Sequence, residues 1–94
     1  INYFCIMRTD KEIIETIAKL ESKLANPRMA IPENASVMEG YQKAVEILKN
    51  KTGNISNAKL EALSSVQSRA IAALAIDFIN GECPQYVLLD VPIK

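Results

Sequence analysis

Fourteen consecutive residues from Val66 to Ile79 contain only four polar side chains: Gln67, Ser68, Arg69 and Asp77. A helix with apolar side chains on nearly every side cannot rest on a surface with one face in water. It must be covered on more than one side, by the rest of the chain or by another chain. The segment is also too short to cross a membrane, which takes about 20 apolar residues. It is therefore expected either as the central helix of a small domain or as a docking helix. The helical pattern extends upstream to residue 56, with Ser56 as cap and Ile55 and Leu60 as a hydrophobic staple. Leu60, Leu63, Ile71, Leu74 and Phe78 make one stripe, with Val66, Ala70, Ala73 and Ile76 beside it. Ser64-Ser65 could divide the region into a short helix and a longer one. Gly81 and Pro84 stop it.

Two further helices precede it. Thr9 followed by Glu12 is a capping box, and Asp10 and Glu12 suit the positive end of the helix dipole. Ile13, Ile17, Leu20 and Leu24 recur every three or four residues, and Ile14 is expected to widen that stripe. Glu15 stands four residues before Lys19, the favourable order for a surface pair. Pro27 keeps Asn26 out of helical geometry, so the helix is expected to end near Ala25. A second capping box is expected at Ser36 and Glu39. Val37, Met38, Tyr41, Ala44, Val45 and Leu48 then share a face, and Gly53 ends the helix. Gly40 weakens this helix unless another segment needs to approach it closely.

Residues 26–35 form a loop with two prolines and two apolar residues, Met29 and Ile31. These either fold back over the helix pair as a lid or present a contact surface. Residues 86–91 are β-branched, aromatic and leucine-rich and read as a short strand closed by Pro92. Residues 2–7 read similarly but more weakly. The expected fold is mainly α: a helical hairpin packed on a long or broken third helix, in one domain over residues 1–94. Short extended segments are expected at both termini; they could pair with each other or add to a partner's sheet edge.

The chemistry of the chain is sparse. Its 94 residues contain no histidine, which removes the commonest general base and the commonest metal ligand. Eleven acidic residues balance eleven basic ones, so no charge excess points to nucleic acid. Cys5 and Cys83 alone cannot build a zinc site. Bonded to each other, they would close a loop with a model entropy term of about 4–5 kcal/mol. The free-thiol reading is preferred, because no targeting segment is visible. Cys83 lies just beyond a helix C-terminus, where the dipole disfavours a thiolate. The carboxylates fall on polar helix faces or near caps, except Asp77, which is expected in an ion pair or at the rim. Asn34, Asn50 and Asn54 each begin an N-glycosylation pattern, and chance and capping account for these better than modification does. No glycine-rich phosphate loop is present. An enzyme is not expected, and neither a cofactor nor a metal is implied.

Ile55-Ser56, Leu60, Leu63, Val66, Ile71 and Leu74 together resemble the helix-turn-helix of winged-helix bacterial regulators. The resemblance covers residues 55–75. It implies a DNA-binding regulator whose recognition surface is Gln67, Ser68 and Arg69, with Ala72 and Ala73 beside them. Ser65 stands where that module usually has glycine, and Arg69 is the sole basic residue of the surface. No family resemblance spans the whole chain.

The expected function is a small non-enzymatic module, regulatory in character and cytoplasmic, that binds a protein partner or itself as a homo-oligomer. Met29, Ile31, Tyr86 and Leu88 are the expected contact residues. DNA binding through residues 55–75 is the alternative, and no membrane association is expected.

Overall fold

The computed structural model describes residues 8–50, 60 and 62–94. Among these the chain is helical, with no strand. In order come α1 (Asp10–Leu24), two short 3-10 helices (Pro27–Ala30 and Pro32–Asn34), α2 (Ala35–Asn50), α3 (Val66–Ile79) and α4 (Gln85–Leu89). The mainly helical architecture, with α1 and α2 packed on a third helix, is the one expected.

Thr9 is extended and accepts a hydrogen bond from the Glu12 amide, while the Glu12 carboxylate accepts the Thr9 amide at 3.0 Å. This reciprocal capping satisfies two amides that the first turn would otherwise leave unpaired. It also holds the Glu12 carboxyl below its usual range, with Thr9 as the main cause and Arg8 assisting. Ile13, Thr16 and Leu20 are buried. Ile14 is 66 % exposed, so it does not widen the stripe. At 100° per residue it points about 100° away from Ile13, towards water. Lys19 and Glu15 pair at 3.6 Å.

The segment after α1 packs inward. Met29 is buried, and Ile31 sits at the surface between the two 3-10 helices. These turn directly into α2. Ala35 is already helical, at φ −57° and ψ −40°. A capping box needs an extended cap residue, so the one expected at Ser36 and Glu39 does not form. Glu39 instead reaches across to the start of α3, accepting the Ser64 amide at 3.0 Å and its hydroxyl at 2.8 Å.

The helical pattern after residue 60 breaks at the serine pair. Ser65 is extended and caps α3 by accepting the Ser68 amide. The expected cap at Ser56, the staple of Ile55 on Leu60, the stop at Gly53, and Cys5 with residues 2–7 all involve positions outside the described residues. The Ser68 hydroxyl donates to the Ser36 carbonyl at 2.9 Å, and Gly40 faces Ile71. Contacts thus advance in the same direction along both helices, so α2 and α3 lie side by side in parallel. Ser68, Ala72, Ala75 and Ile79, spaced four, three and four, are buried on α3. Val66 and Ala70 are exposed, so α3 keeps a solvent side rather than being covered all round. Asp77 is half-buried, a rim position, with no ion pair among the described residues.

Gly81 ends α3 with φ 79°, a left-handed conformation that glycine adopts without strain. Its amide bonds to the Phe78 carbonyl and the Glu82 amide to the Asp77 carbonyl, the paired bonds of a Schellman turn. Arg8 completes this end. Its backbone amide reaches the Ile79 carbonyl at 3.0 Å, its Nε the Phe78 carbonyl at 3.1 Å and its Nη2 the Cys83 carbonyl at 2.8 Å. The guanidinium lies 4.7 Å from the Phe78 ring centroid. One side chain therefore fastens the start of α1 to the end of α3.

Residues 86–91 are not a strand. Pro84 is extended, and Gln85–Leu89 make one turn and a half of α-helix. β-propensity describes a fit to a pleated sheet with neighbours, and no neighbouring strand exists among the described residues. The helical turn instead drives Leu88 into the core, where it is fully buried.

Candidate functional site

The described residues contain no cluster of three or more cysteine and carboxylate side chains able to hold a metal ion. Cys83 is a free, buried thiol; Cys5, its partner in the bonded alternative, lies outside the described residues. Burial, and then the nearby negative charge of Asp77, push its pKa up, against an opposing pull from Arg8. Its thiol donates to the Pro84 carbonyl at 3.4 Å. A protonated, packed thiol of this kind is a core residue and not a nucleophile.

Asn34 is buried too. Its side-chain NH2 donates to the Arg28 carbonyl at 2.7 Å, and its oxygen accepts the Lys94 amide at 2.8 Å. A glycan could not be attached there without breaking this arrangement.

The feature with potential for recognition is α4. Three side chains fix its orientation. The Gln85 side-chain NH2 donates to the Thr16 hydroxyl at 2.8 Å and to Glu15 at 3.2 Å, and its oxygen accepts from Lys19 at 3.1 Å. Leu88 fills the core. The Tyr41 hydroxyl donates to the Leu89 carbonyl at 3.1 Å. With α4 held this way, Tyr86 and Val87 project outward together, 66 % and 38 % exposed. They are consecutive residues, about 100° apart around one turn, and both lie on the solvent side of α4. The other large exposed apolar side chains, Ile14, Ile31 and Val66, lie on other elements. Ile14 sits about 140° around α1 from Lys19, which marks the side that α4 touches.

The expected contact residues therefore divide. Tyr86 and Ile31 are at the surface. Met29 and Leu88 are core residues, 2 % and 0 % exposed, and are not available to a partner. Met29 closes the core over the helix pair, as the lid reading has it. Val87 was missed because a strand would alternate its side chains and turn Val87 away from Tyr86, whereas a helix keeps neighbours within 100° of each other. Thr16 and Gln85, which orient α4, carry no sequence signal beyond being polar.

The surface implied by the helix-turn-helix resemblance does not assemble. Gln67 is exposed, but Ser68 is fully buried against α2, as is Ala72. Arg69 is half-buried and folds back to the Leu63 carbonyl at 3.2 Å. The reason is the close approach of α2, which takes the face of α3 that would have to enter a groove. Glu39 adds a negative charge beside the α3 N-terminus. Its carboxyl is held below the usual range by the polar groups around it, the nearby Ser68 hydroxyl first and then the hydroxyl and amide that Ser64 donates. No helix among the described residues is long and apolar enough to cross a membrane. Comparison with protein-family models, with curated proteins and with solved structures finds no match to this chain.

Proposed function

We propose that this protein is a small non-enzymatic association module that binds a second copy of itself through the outer face of α4. The observation that carries the reading is that Tyr86 and Val87 are both exposed on the solvent side of a helix that Gln85, Leu88 and Tyr41 hold in one orientation. A rigid apolar pair that includes a tyrosine loses little conformational entropy on docking, and tyrosine is enriched among residues that dominate interfaces. Charge supports the choice of occupant. With eleven acidic and eleven basic residues the chain has no net charge to repel its own copies. A regulatory role in the cytoplasm is part of the proposal, and the free thiol of Cys83 fits a reducing compartment.

The reading is tested with a photo-activated benzoylphenylalanine placed at position 86, compared with one at position 14. Covalent dimers are expected from position 86 and not from position 14. Equal yields from both positions, or no dimer from position 86, would overturn it.

A further inference from the structure

After Leu89 the chain turns at Asp90 (φ −94°, ψ 26°) and runs on over the core outside any helix as a strap, residues 91–94. Its side chains alternate. Leu89, Val91 and Ile93 are half-buried and pack on the core, while Asp90, Pro92 and Lys94 are exposed. Alternation with a period of two is how an extended peptide reads a groove. Pro92 keeps Val91 out of helical geometry, because a residue before proline is restricted to β or polyproline geometry.

The body grips this strap by its backbone. At one end, on the last residue of α4 where the strap begins, the Tyr41 hydroxyl donates to the Leu89 carbonyl at 3.1 Å. At the other, the buried Asn34 side chain pairs with both backbone groups of Lys94. Its oxygen accepts the Lys94 amide at 2.8 Å, and its NH2 donates towards the Lys94 carbonyl at 3.4 Å. A side-chain amide that meets an N–H and a C=O of one residue imitates a neighbouring strand. Asn34 is in turn fixed by its 2.7 Å bond to the Arg28 carbonyl. Tyr41 and Asn34 are both buried, so the grip is built into the body and does not depend on the strap's own side chains.

We infer that the surface beneath residues 91–94 is a receptor for an extended segment with apolar residues at alternate positions. The chain's own strap fills it here, and the same strap from a second copy can replace it. Backbone clamps at both ends with apolar contacts between them are the elements of a peptide groove. An occupant in cis masks such a groove from one in trans, because the affinity seen from outside falls by the fraction of time the site stands open. The exchange of identical segments between copies is a low-cost route to association. This inference deepens the self-association reading and names a second contact, and it stands or falls separately from Tyr86 and Val87.

The probe is a fluorescein-labelled peptide with the sequence of residues 88–94, which lacks Tyr86 and Val87. It is titrated with the full chain, with a Val91→Ser/Ile93→Ser variant whose own strap is loosened, and with that variant carrying Tyr41→Phe. The loosened variant is expected to bind the peptide at least about tenfold more tightly than the parent chain. Adding Tyr41→Phe should weaken binding by roughly fivefold, as expected for one hydrogen bond. Equal or absent binding by the parent and loosened chains, with helical circular dichroism intact, would overturn the inference. If the double variant does not fold, Ile93→Ser alone carries the same comparison with the same two outcomes. A chain that dimerises through position 86 yet fails this titration retains the α4 reading and loses the strap receptor.

Discussion

Replacing Gly40 with alanine tests the close approach of α2 and α3 at Ile71. In an exposed helix this change stabilises by about 1 kcal/mol, because glycine loses more backbone freedom on folding. Here the added Cβ would lie 2.8 Å from Ile71 Cβ, 2.9 Å from Cδ1 and 3.2 Å from Cγ2. The Cδ1 can turn away, but Cβ is attached to the α3 backbone and Ile71 is 2 % exposed. Restoring an ordinary contact of roughly 3.5 Å means separating α2 and α3 by roughly 0.7 Å. That separation would also loosen the packing around Ala72 and Ala75, which are buried on the same face of α3. Overpacking of this kind costs about 1–3 kcal/mol, and the rigid obstacle places this case near the upper end. After the propensity gain, Gly40→Ala should destabilise by about 2 kcal/mol. For a domain of this size that lowers Tm by roughly 8–16 °C. Thermal melts followed by circular dichroism, with urea titrations beside them, measure it. Ile71→Val removes only the Cδ1 clash, so it should cost less in the Gly40→Ala chain than in the parent. A rise in Tm for Gly40→Ala would refute the close parallel packing. So would strict additivity with Ile71→Val, since residues in contact should couple by more than about 0.5 kcal/mol.

The α4 geometry predicts a contrast between neighbours. Leu88→Ala should cost about 2–5 kcal/mol, whereas Tyr86→Ser should stay within about 0.5 kcal/mol; similar losses in urea titrations would favour a strand, which puts both residues on one face. Acid stability should depend on Glu39. Its carboxyl titrates lower in the fold than in the free chain, so its contribution is complete above the usual carboxylate range and is lost as pH falls from that range through the lowered value the fold imposes. Glu39→Gln should therefore flatten the acid limb of the stability curve, and an unchanged limb would show that the bonds from Ser64 contribute nothing. In a Cys5→Ser background, Cys83 should react with a thiol reagent at mildly alkaline pH only as fast as the fold opens, since burial raises its pKa; reaction at the rate of an unfolded thiol would contradict its burial.

Much of the helical framework was legible because it rests on local rules. The Thr9–Glu12 box, the stop before Pro27, the serine break before Val66 and the turn at Gly81 each need only a few adjacent residues. What could not be read depends on distant partners. Glu39 has the spacing of a capping box, but the preceding 3-10 turn uses up the extended position a cap requires, and the carboxylate goes to Ser64. Ser68 looks like a surface residue of a recognition helix until α2 packs over it. Residues 86–91 have the composition of a strand but, among the described residues, no strand beside them, so the demand of the core for Leu88 wins. The same long-range effect governs the candidate site: Met29 and Leu88 are apolar residues near turns, as Ile31 and Tyr86 are, and only tertiary packing separates the buried pair from the exposed one. Asn34, read as a chance glycosylation pattern, is a buried clamp because residue 94 returns to it.

The most direct test of self-association through α4 is sedimentation velocity across a wide concentration range, comparing the parent chain with a Tyr86→Ser/Val87→Ser variant. The parent should shift from one chain mass to two as concentration rises, and the variant should stay at one with its helical circular dichroism unchanged. A parent chain that remains at one chain mass throughout, or a variant that dimerises as readily as the parent, would contradict the account.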